Sequence, residues 1–594
     1  MKDLIRQNRL QWLLLGLAWG VAIILGVTGF TRYAAGHNLS YSLWDKLYLV
    51  IQLIPLNSGA LPPRIPLALN LARFLIPLLA GATVIKAAWE LFRQQIWEAR
   101  LKRLRGHVII CGLSRKGMLL ANRFREQGEQ VVVIEKDEKN PWLETCRKQA
   151  VYVLSGDATD GSLLRSAGVA RARGLFAVCD DSGLNVEIAL RAQEMVQERV
   201  GEPLTCLVNV SDPSLCALLR EQEASLEMAP FRLEMFNVFE RGARRMLQTY
   251  PAWTDQHISG NIAPRILIVG LGWMGENLLV HAARDWWNAR QDNSIRLQAL
   301  VVDRYARRKS ESLHARYPCL GEACDLVPYE MEIHSAAFEN ASFLRDANGQ
   351  PAVDIVYICV DSDSLGLHAA LTLRRQLRDK AVKIVVRMAE NSGLARLLTK
   401  GKNRATAYPN IHGFSYLETT CTPELLSVTI RDTLARAAHE DYSARQAQAG
   451  VAITEDPALQ PWERLSAFYR HENYNWVDRI TQLVDSVGCK IVPLTDWNAP
   501  SFQFTQDEID QMAPMEHALW MQQRLQAGWT YAAGPKSLEL KTHPDLVPWQ
   551  DLSESEKIKN IHNVAAIPRA LALAGFQIER VKQESQASIE KACP

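Results

Sequence analysis

The chain opens on apolar stretches unlike anything that follows them. From Leu13 to Phe30 it reads LLLGLAWGVAIILGVTGF, an uncharged run of about the length that crosses a bilayer core as a helix. Lys2, Arg6 and Arg9 precede it. A second apolar segment, Pro66 to Phe92, is interrupted by Arg73, Pro77 and Lys86, and is followed by Arg93, Arg100, Lys102, Arg103 and Arg105 against Glu98. The pattern predicts a membrane region over 1–105 with two transmembrane helices. A signal peptide is the competing reading of the first run, but the run exceeds a typical h-region and no small-residue cleavage site clearly follows. Basic residues flank both outer ends, so the positive-inside tendency predicts the inner (cytoplasmic) membrane, with both termini and all large domains cytoplasmic.

Between the two runs lies YSLWDKLYLVIQLIPLNSG, whose apolar part is too short to span. It suits either a re-entrant helix or an interfacial helix lying on the outer leaflet. In the first case the plan is that of a two-helix channel pore. Gln52, Asn57 and Ser58 would then face the pore, where backbone carbonyls or side chains from several subunits replace an ion's hydration shell. The potassium-filter signature is absent, and Gln52-Leu53-Ile54-Pro55-Leu56-Asn57-Ser58-Gly59 stands in its place. Gly81, four residues after Pro77, is a candidate hinge in the second helix.

After residue 105 the pattern changes to alternating strand and helix. HVIICG (His107 to Gly112) reads as a buried strand, SRKGMLLANRFREQG as a turn and amphipathic helix, and VVVIE, ending at Glu135, as a second strand. VYVLSGDATD, SLLRSAGV, GLFAVCDD and Asn185-Val186-Glu187 continue the alternation. The unit then recurs as RILIVGLGWMGENLLVHAARDWW, LQALVVD ending at Asp303, VDIVYICVDSDS and KIVVRM. The predicted fold class is α/β: two tandem Rossmann-type lobes, 106–250 and 262–442, preceded by transmembrane helices. Residues 443–460 read as a small, polar linker. A helical, aromatic-rich module follows over 461–582, with a tail at 583–594.

Composition narrows the function. A chain of 594 residues is too long for one core. Its 48% hydrophobic and 22% charged residues are ordinary for globular domains, and a net charge of +2 argues against a general nucleic-acid binder. The eleven cysteines form no CxxC pair and no Cys/His cluster, so reduced thiols and no metal site are expected.

Strand, glycine-containing turn, helix, strand and terminal acid is the order in which a dinucleotide fold sets phosphate over a helix N-terminus and ribose beside a carboxylate. In the first lobe the candidates are Gly112, Ser114, Arg115 and Gly117 in the turn, Glu135 for ribose, and Asp157 of GDATD lining the cleft. Ser114 stands where the glycine nearest the pyrophosphate would sit, and Arg115 and Lys116 could compensate by meeting phosphates directly. The second lobe keeps Gly270, Gly272 and Gly275 with Asp303, but MEIHSAAFEN replaces the GDATD segment. Arg304, Arg307 and Arg308 could accept a further phosphate or form a solvated face. For either turn the alternative is tight helix-to-strand packing without a ligand. No Ser/His/Asp or paired-carboxylate constellation appears at recognisable spacing, so no catalytic residue and no enzymatic activity are expected.

The first turn, GDATD, LLRSAGV and the later DD-x-x-x-N together closely resemble the RCK (Trk-N) regulatory domains of potassium channels and transporters, over most of 106–250. That resemblance implies paired lobes and a homo-oligomeric ring, a dimer of dimers or a tetramer. It also implies regulation by a nucleotide in the clefts, NAD(H) or another adenine nucleotide such as ATP or ADP-ribose. The C-terminal module resembles the RyR repeat domain, carried by Glu516-His517-x-x-Trp520, Gly528-Trp529, Lys541-x-His543-Pro544-x-Leu546-Val547-Pro548-Trp549 and Leu552-Ser553. His517, Trp520, Trp529, Lys541, His543 and Trp549 could form a pocket that stacks a base and binds phosphate, or the aromatics could be core. Glu516-His517 lacks the second histidine of a zinc motif.

The expected function is a nucleotide-responsive, ligand-gated ion channel or potassium-conductance regulator. The alternative is a membrane-tethered nucleotide-sensing effector, in stress or phage defence, without selective conduction. An NAD-dependent oxidoreductase is weakest, because nothing supplies a hydride-acceptor site.

Overall fold

The computed structural model describes residues 2–57, 65–199, 201–212, 215–216, 219, 230–290, 292, 294–345, 352–377, 382–390, 410–426, 430–448, 450 and 456–581. Two compact units are present, Met1–Leu104 and Arg105–Pro594.

The first unit is helical. Helices Lys2–Gly36 and Leu67–Arg103 carry the segments Trp12–Gly36 and Leu67–Ala88, both long and apolar enough to cross a membrane. They pack antiparallel, as three contacts along their length establish. Gly29 lies so close to Leu69 that a Cβ would come within 2.7 Å of the Leu69 backbone. Trp19 Nε1 donates to Thr83 Oγ1 at 3.0 Å, and Lys86 lies 4.6 Å from the Trp12 ring. Small residues at the crossing, Gly29, Ala22 and Ala72, allow the backbones to approach closely. The Leu67–Arg103 helix runs unbroken through Pro77 and Gly81. The sequence between the long helices forms a ten-residue helix, Leu43–Gln52, started by a Ser42/Asp45 capping box. Its Val50 is buried near Gly26, while Trp44, Tyr48 and Ile51 are exposed. Of the three pore candidates, Gln52 ends this helix and Asn57 is exposed beyond it; Ser58 lies outside the described residues.

The second unit is built on two six-stranded parallel sheets. The strands of the first are β1 (Val108–Cys111), β2 (Val131–Glu135), β3 (Tyr152–Ser155), β4 (Gly174–Ala177), β5 (Leu204–Asn209) and β6 (Phe231–Phe236), in the order β3-β2-β1-β4-β5-β6. Those of the second are β7 (Arg265–Val269), β8 (Leu297–Asp303), β9 (Cys324–Glu330), β10 (Ile355–Ile358), β11 (Lys383–Met388) and β12 (Ile411–Ser415), in the order β9-β8-β7-β10-β11-β12. This is the doubly wound Rossmann order in both lobes, with strand order reversing beside β1 and beside β7. β1, β4, β7 and β10 are buried along their whole lengths, or nearly so, as central parallel strands covered on both faces must be.

The lobes share a core. Helix Val238–Thr249, which leaves the first sheet, packs on helix Trp273–Ala289 of the second; Tyr357 Oη donates to Tyr250 O at 2.7 Å, and Trp253 meets Trp286 edge to face. Arg123 Nη1 of the first lobe donates to Cys421 O of the second at 3.2 Å. The ten cysteines among the described residues are free thiols, eight of them buried.

The stretch read as a linker is partly helix. Helix Ile430–Gln448 continues through residues 443–448, where Ala, Arg and Gln are good helix formers and the Arg445–Asp441 ion pair adds support one turn apart. Helices Ala467–Ser486, Gln506–Gln526, Glu554–Ala565 and Ile567–Leu573, with an antiparallel pair Cys489–Pro493 and Phe576–Arg580, complete the C-terminal module around its own core.

Candidate functional site: two Rossmann clefts and an aromatic cavity

In open α/β sheets the ligand crevice lies beyond the C-terminal strand ends where the order reverses. In the first lobe that point falls between β1 and β4, where Gly112 has φ +93° and faces Cys179 so closely that a Cβ would come within 2.9 Å of its N and Sγ. Gly117, in the first turn of the following helix, would place a Cβ 2.0 Å from Gly112 O. The second lobe repeats the geometry. Gly270 has φ +92° and abuts Val360, and a Cβ on Gly275 would lie 2.1 Å from Gly270 O. These four glycines are demanded by the packing of the turn itself. Gly272 is different: a Cβ there would meet nothing within 4 Å. It is the N-cap of helix Trp273–Ala289, as Ser114 is of helix Arg115–Glu126, and neither cap donates or accepts a side-chain bond to its own helix N-terminus. A helix N-terminus without a side-chain cap is the arrangement that receives an anion.

The acids stand where the sequence places them, at the ends of β2 and β8, and both hold the turn. Glu135 accepts from Leu113 N at 2.6 Å and from Asp137 N at 2.8 Å. Asp303 accepts from Leu271 N at 2.8 Å, Tyr305 N at 2.9 Å and Lys309 Nζ at 3.0 Å. Burial alone would raise the Asp303 carboxyl, but bonds from Tyr305, Lys309 and Leu271 bring it below its ordinary value. Each carboxylate thus braces the residue after the first glycine while standing where ribose hydroxyls would come.

Asp157 pairs with Lys136 at 2.8 Å and accepts from Thr159; the Lys136 bond, with those from Thr159, holds it down to about 2. Asp160 of the same GDATD segment caps the next helix through Ser162 N. Asn185 of DD-x-x-x-N is fully buried and ties the ends of β4 and β5, accepting from Cys179 N and donating to Cys179 O and Asn209 O. Arg115 is largely exposed and lies 3.8 Å from Glu390, beyond β11 of the other lobe. Lys116 faces Asp180 at 3.5 Å, and Arg304 pairs with Glu332.

Arg387, unremarked in the sequence, sits at the second cleft. Its guanidinium donates to Val360 O at 2.7 Å, Asp361 at 3.0 Å and Tyr416 Oη at 3.1 Å, and lies 4.6 Å from the Tyr416 ring. It fixes the loop after β10 that forms one lip of the crevice. The signal was a lone arginine in the apolar run KIVVRM.

The C-terminal module contains a cavity of about 410 Å³. Of the six residues proposed for a pocket there, His517, Trp520 and His543 line it. The other three do not. Trp529 is buried behind the cavity wall with Arg524 4.4 Å from its ring, Trp549 packs on the module's core, and Lys541 turns away to donate to Ala527 O. Tryptophans with partners to pack against go to the core. The sequence reading missed the charged walls: Arg479 paired with Glu516 at 2.8 Å, Arg524 paired with Glu472 at 2.5 Å, and Lys536. Burial, then the charges of Lys536, Arg524 and Lys559, push His543 down to about 4, so its ring is neutral at pH 7. Among the described residues, no cluster of His, Cys, Asp and Glu could hold a metal ion.

Two parallel doubly wound sheets with glycine turns at their reversal points define a tandem Rossmann-type protein. The chain carries a TrkA-N (RCK) domain, whose family model matches residues 108–228, and a RyR domain, matched over 503–580. It is 33% identical over 104 residues to Potassium channel protein 1 of Methanocaldococcus jannaschii, covering 18% of this chain and 31% of that one. It is 27% identical over 191 residues to the glutathione-regulated potassium-efflux system protein KefC of Enterobacter sp., covering 30% and 29%. The chain therefore spans less than a third of the length of these curated relatives. Among solved structures it is similar to the GsuK channel bound to NAD, at 14% identity and a TM-score of 0.38 over 72% of this chain and 84% of that one.

Proposed function

We propose that this protein is a membrane-resident, nucleotide-responsive regulator of potassium conductance. The second cleft carries the reading: the Gly270–Gly275 turn opens a helix at the strand-order reversal, Gly272 leaves the space above the helix amides clear, and Asp303 stands at the end of β8. That is a receptacle for a pyrophosphate and a ribose, so the ligand is NAD(H) or another adenine nucleotide such as ATP or ADP-ribose. The TrkA-N domain and the potassium channel and efflux relatives support potassium as the regulated ion. The two apolar helices sit in the bilayer, with the large domains on its cytoplasmic side and several copies assembled through the tandem lobes. The mechanism involves no covalent step; a ligand shifts closed and open populations only by its differential affinity for them.

The test is potassium flux in proteoliposomes with and without NAD+, NADH, ATP and ADP-ribose. Flux that changes with a nucleotide, and loses the response in Asp303→Ala, supports the reading; flux indifferent to every nucleotide overturns it. The unusual Gln52-Leu53-Ile54-Pro55-Leu56-Asn57-Ser58-Gly59 stretch favours a second reading, in which nucleotide binding triggers unselective permeation. Equal sodium and potassium flux in the same vesicles would favour it.

A further inference from the structure

The aromatic cavity is not enclosed by the RyR domain alone. Tyr442 and Arg445 on its wall belong to helix Ile430–Gln448, which leaves the second Rossmann lobe, and Trp476 and Arg479 belong to helix Ala467–Ser486. Both helices precede residue 503, where the RyR match begins. The walls are costly to build. Arg479 and Arg524 are 5% and 6% exposed, and the Nε of each lacks a hydrogen-bond partner, as does Nε1 of the buried Trp476. Buried polar atoms without partners are rare in folded proteins and mark places where a ligand or water completes the bonding. Lys536 adds charge, lying over the Phe468 and Tyr469 rings. The half-buried Trp520 offers a ring face beside these cations.

Helix Ile430–Gln448 also reaches the first lobe. Its first backbone N–H donates to Glu234 Oε2 of β6 at 3.0 Å, so a buried carboxylate caps the helix. Arg431 grips Asp478 through two bonds, and Asp432 accepts from Tyr474. Over its 19 residues the helix spans about 28 Å, so one rigid element joins the cavity to the edge strand of the first Rossmann sheet.

We propose that this shared cavity is a second effector site, separate from the Rossmann clefts, for a phosphorylated ring compound of mononucleotide size, and that its occupancy is communicated to the first lobe along helix Ile430–Gln448. The phosphate meets Lys536 and the guanidinium groups of Arg479 and Arg524 on the cavity wall, and the ring lies against Trp520. A ligand touching Tyr442 and Arg445 fixes the far end of the helix whose near end rests on Glu234.

The experiment uses the full chain in detergent, with AMP, adenosine and inorganic phosphate as probes in titration calorimetry. AMP should bind, adenosine and phosphate more weakly. Losing one ring stack or one cation should weaken AMP about tenfold in Trp520→Leu and Lys536→Gln. The exposed Lys559→Gln, which carries little folding risk, should weaken it severalfold. Asp303→Ala and Glu135→Ala should remove only the share of AMP binding that the Rossmann clefts hold and leave the share that Trp520→Leu and Lys536→Gln weaken, so failure of this site and failure of the Rossmann clefts read differently. Hydrogen exchange of the peptide containing Ile430 should slow on adding AMP. Three outcomes overturn the proposal: none of the three probes binding at millimolar concentration, AMP binding that disappears in Asp303→Ala or Glu135→Ala but survives the cavity variants, or Ile430 exchange unchanged at saturation.

Discussion

The two Rossmann lobes repeat one sheet order and one turn, and differ at the turn's middle position. Gly112 and Gly117 in the first, and Gly270 and Gly275 in the second, are each packed against protein atoms that a Cβ would strike. The fold demands these glycines, so they say nothing about a ligand. Gly272 touches nothing, and the first lobe places Ser114 there without disturbing the turn. A glycine that packing does not require is the position where a ligand is the remaining reason for it. By that criterion the proposed nucleotide belongs in the second cleft rather than the first.

The largest effect tests the shared part. Gly275→Ala drives a Cβ into Gly270 O, and Gly117→Ala does the same in the first lobe, so each should destabilise its lobe by about 3 kcal/mol or more, seen as a large drop in the melting temperature. Tolerance of either change would mean that the turn relaxes and that the division between packing and ligand glycines is wrong. Next is the acid. Asp303→Ala should weaken nucleotide binding by about 1.5 to 3 kcal/mol, roughly ten- to a hundredfold, and Glu135→Ala should cost less in the same calorimetric assay. The reverse order would move the sensor to the first cleft.

A third prediction concerns how the first lobe is held from outside. Burial raises the Glu234 carboxyl to about 7, against the Ile430 bond and the charges of Arg232 and Arg241, with Asp432 adding to the rise. A carboxyl raised in the docked state favours docking while protonated. That contribution is full below its ordinary value, is lost as pH climbs through 7, and is level above. Protection of the Ile430 peptide should therefore fall about tenfold between pH 6 and pH 8, and Glu234→Gln should flatten the profile. The smallest effect is the most specific. Gly272→Ser should leave the melting temperature within a degree or two and weaken the nucleotide severalfold, about 1 kcal/mol, while Ser114→Gly should improve the first cleft.

Much of this was legible in the sequence. Strand, glycine, helix, strand and acid recur in order, and HVIICG, VVVIE, RILIV and LQALVVD all became central or near-central parallel strands with their acids at the ends. Both apolar runs became long helices. The cavity was half legible. Trp520, His517 and His543 line it, but a spacing of aromatics cannot distinguish a ring that faces a cavity from one that packs behind it, as Trp529 does behind Arg524. Arg479 and Arg524 were missed because a charged residue inside an amphipathic helix looks solvated until its buried partner, Glu516 or Glu472, is found tens of residues away. Arg387 on β11 and Glu234 on β6 escaped because a charged residue in a strand looks solvated until the partners that it meets inside, Val360 O and Ile430 N, are found.

The free thiols carry a different consequence. Burial raises Cys146 and Cys421 to about 11, pushes Cys359 to about 12 and raises Cys206 and Cys324 further; Cys179, beside the first glycine turn, also stands at about 11. At pH 7 a thiol of that acidity is thiolate in roughly one molecule in ten thousand, and the thiolate is the form that peroxides and electrophiles attack. These sulfurs are chemically quiet, so an oxidant or electrophile that reaches them meets almost no thiolate, and the cores they pack into are spared that chemistry.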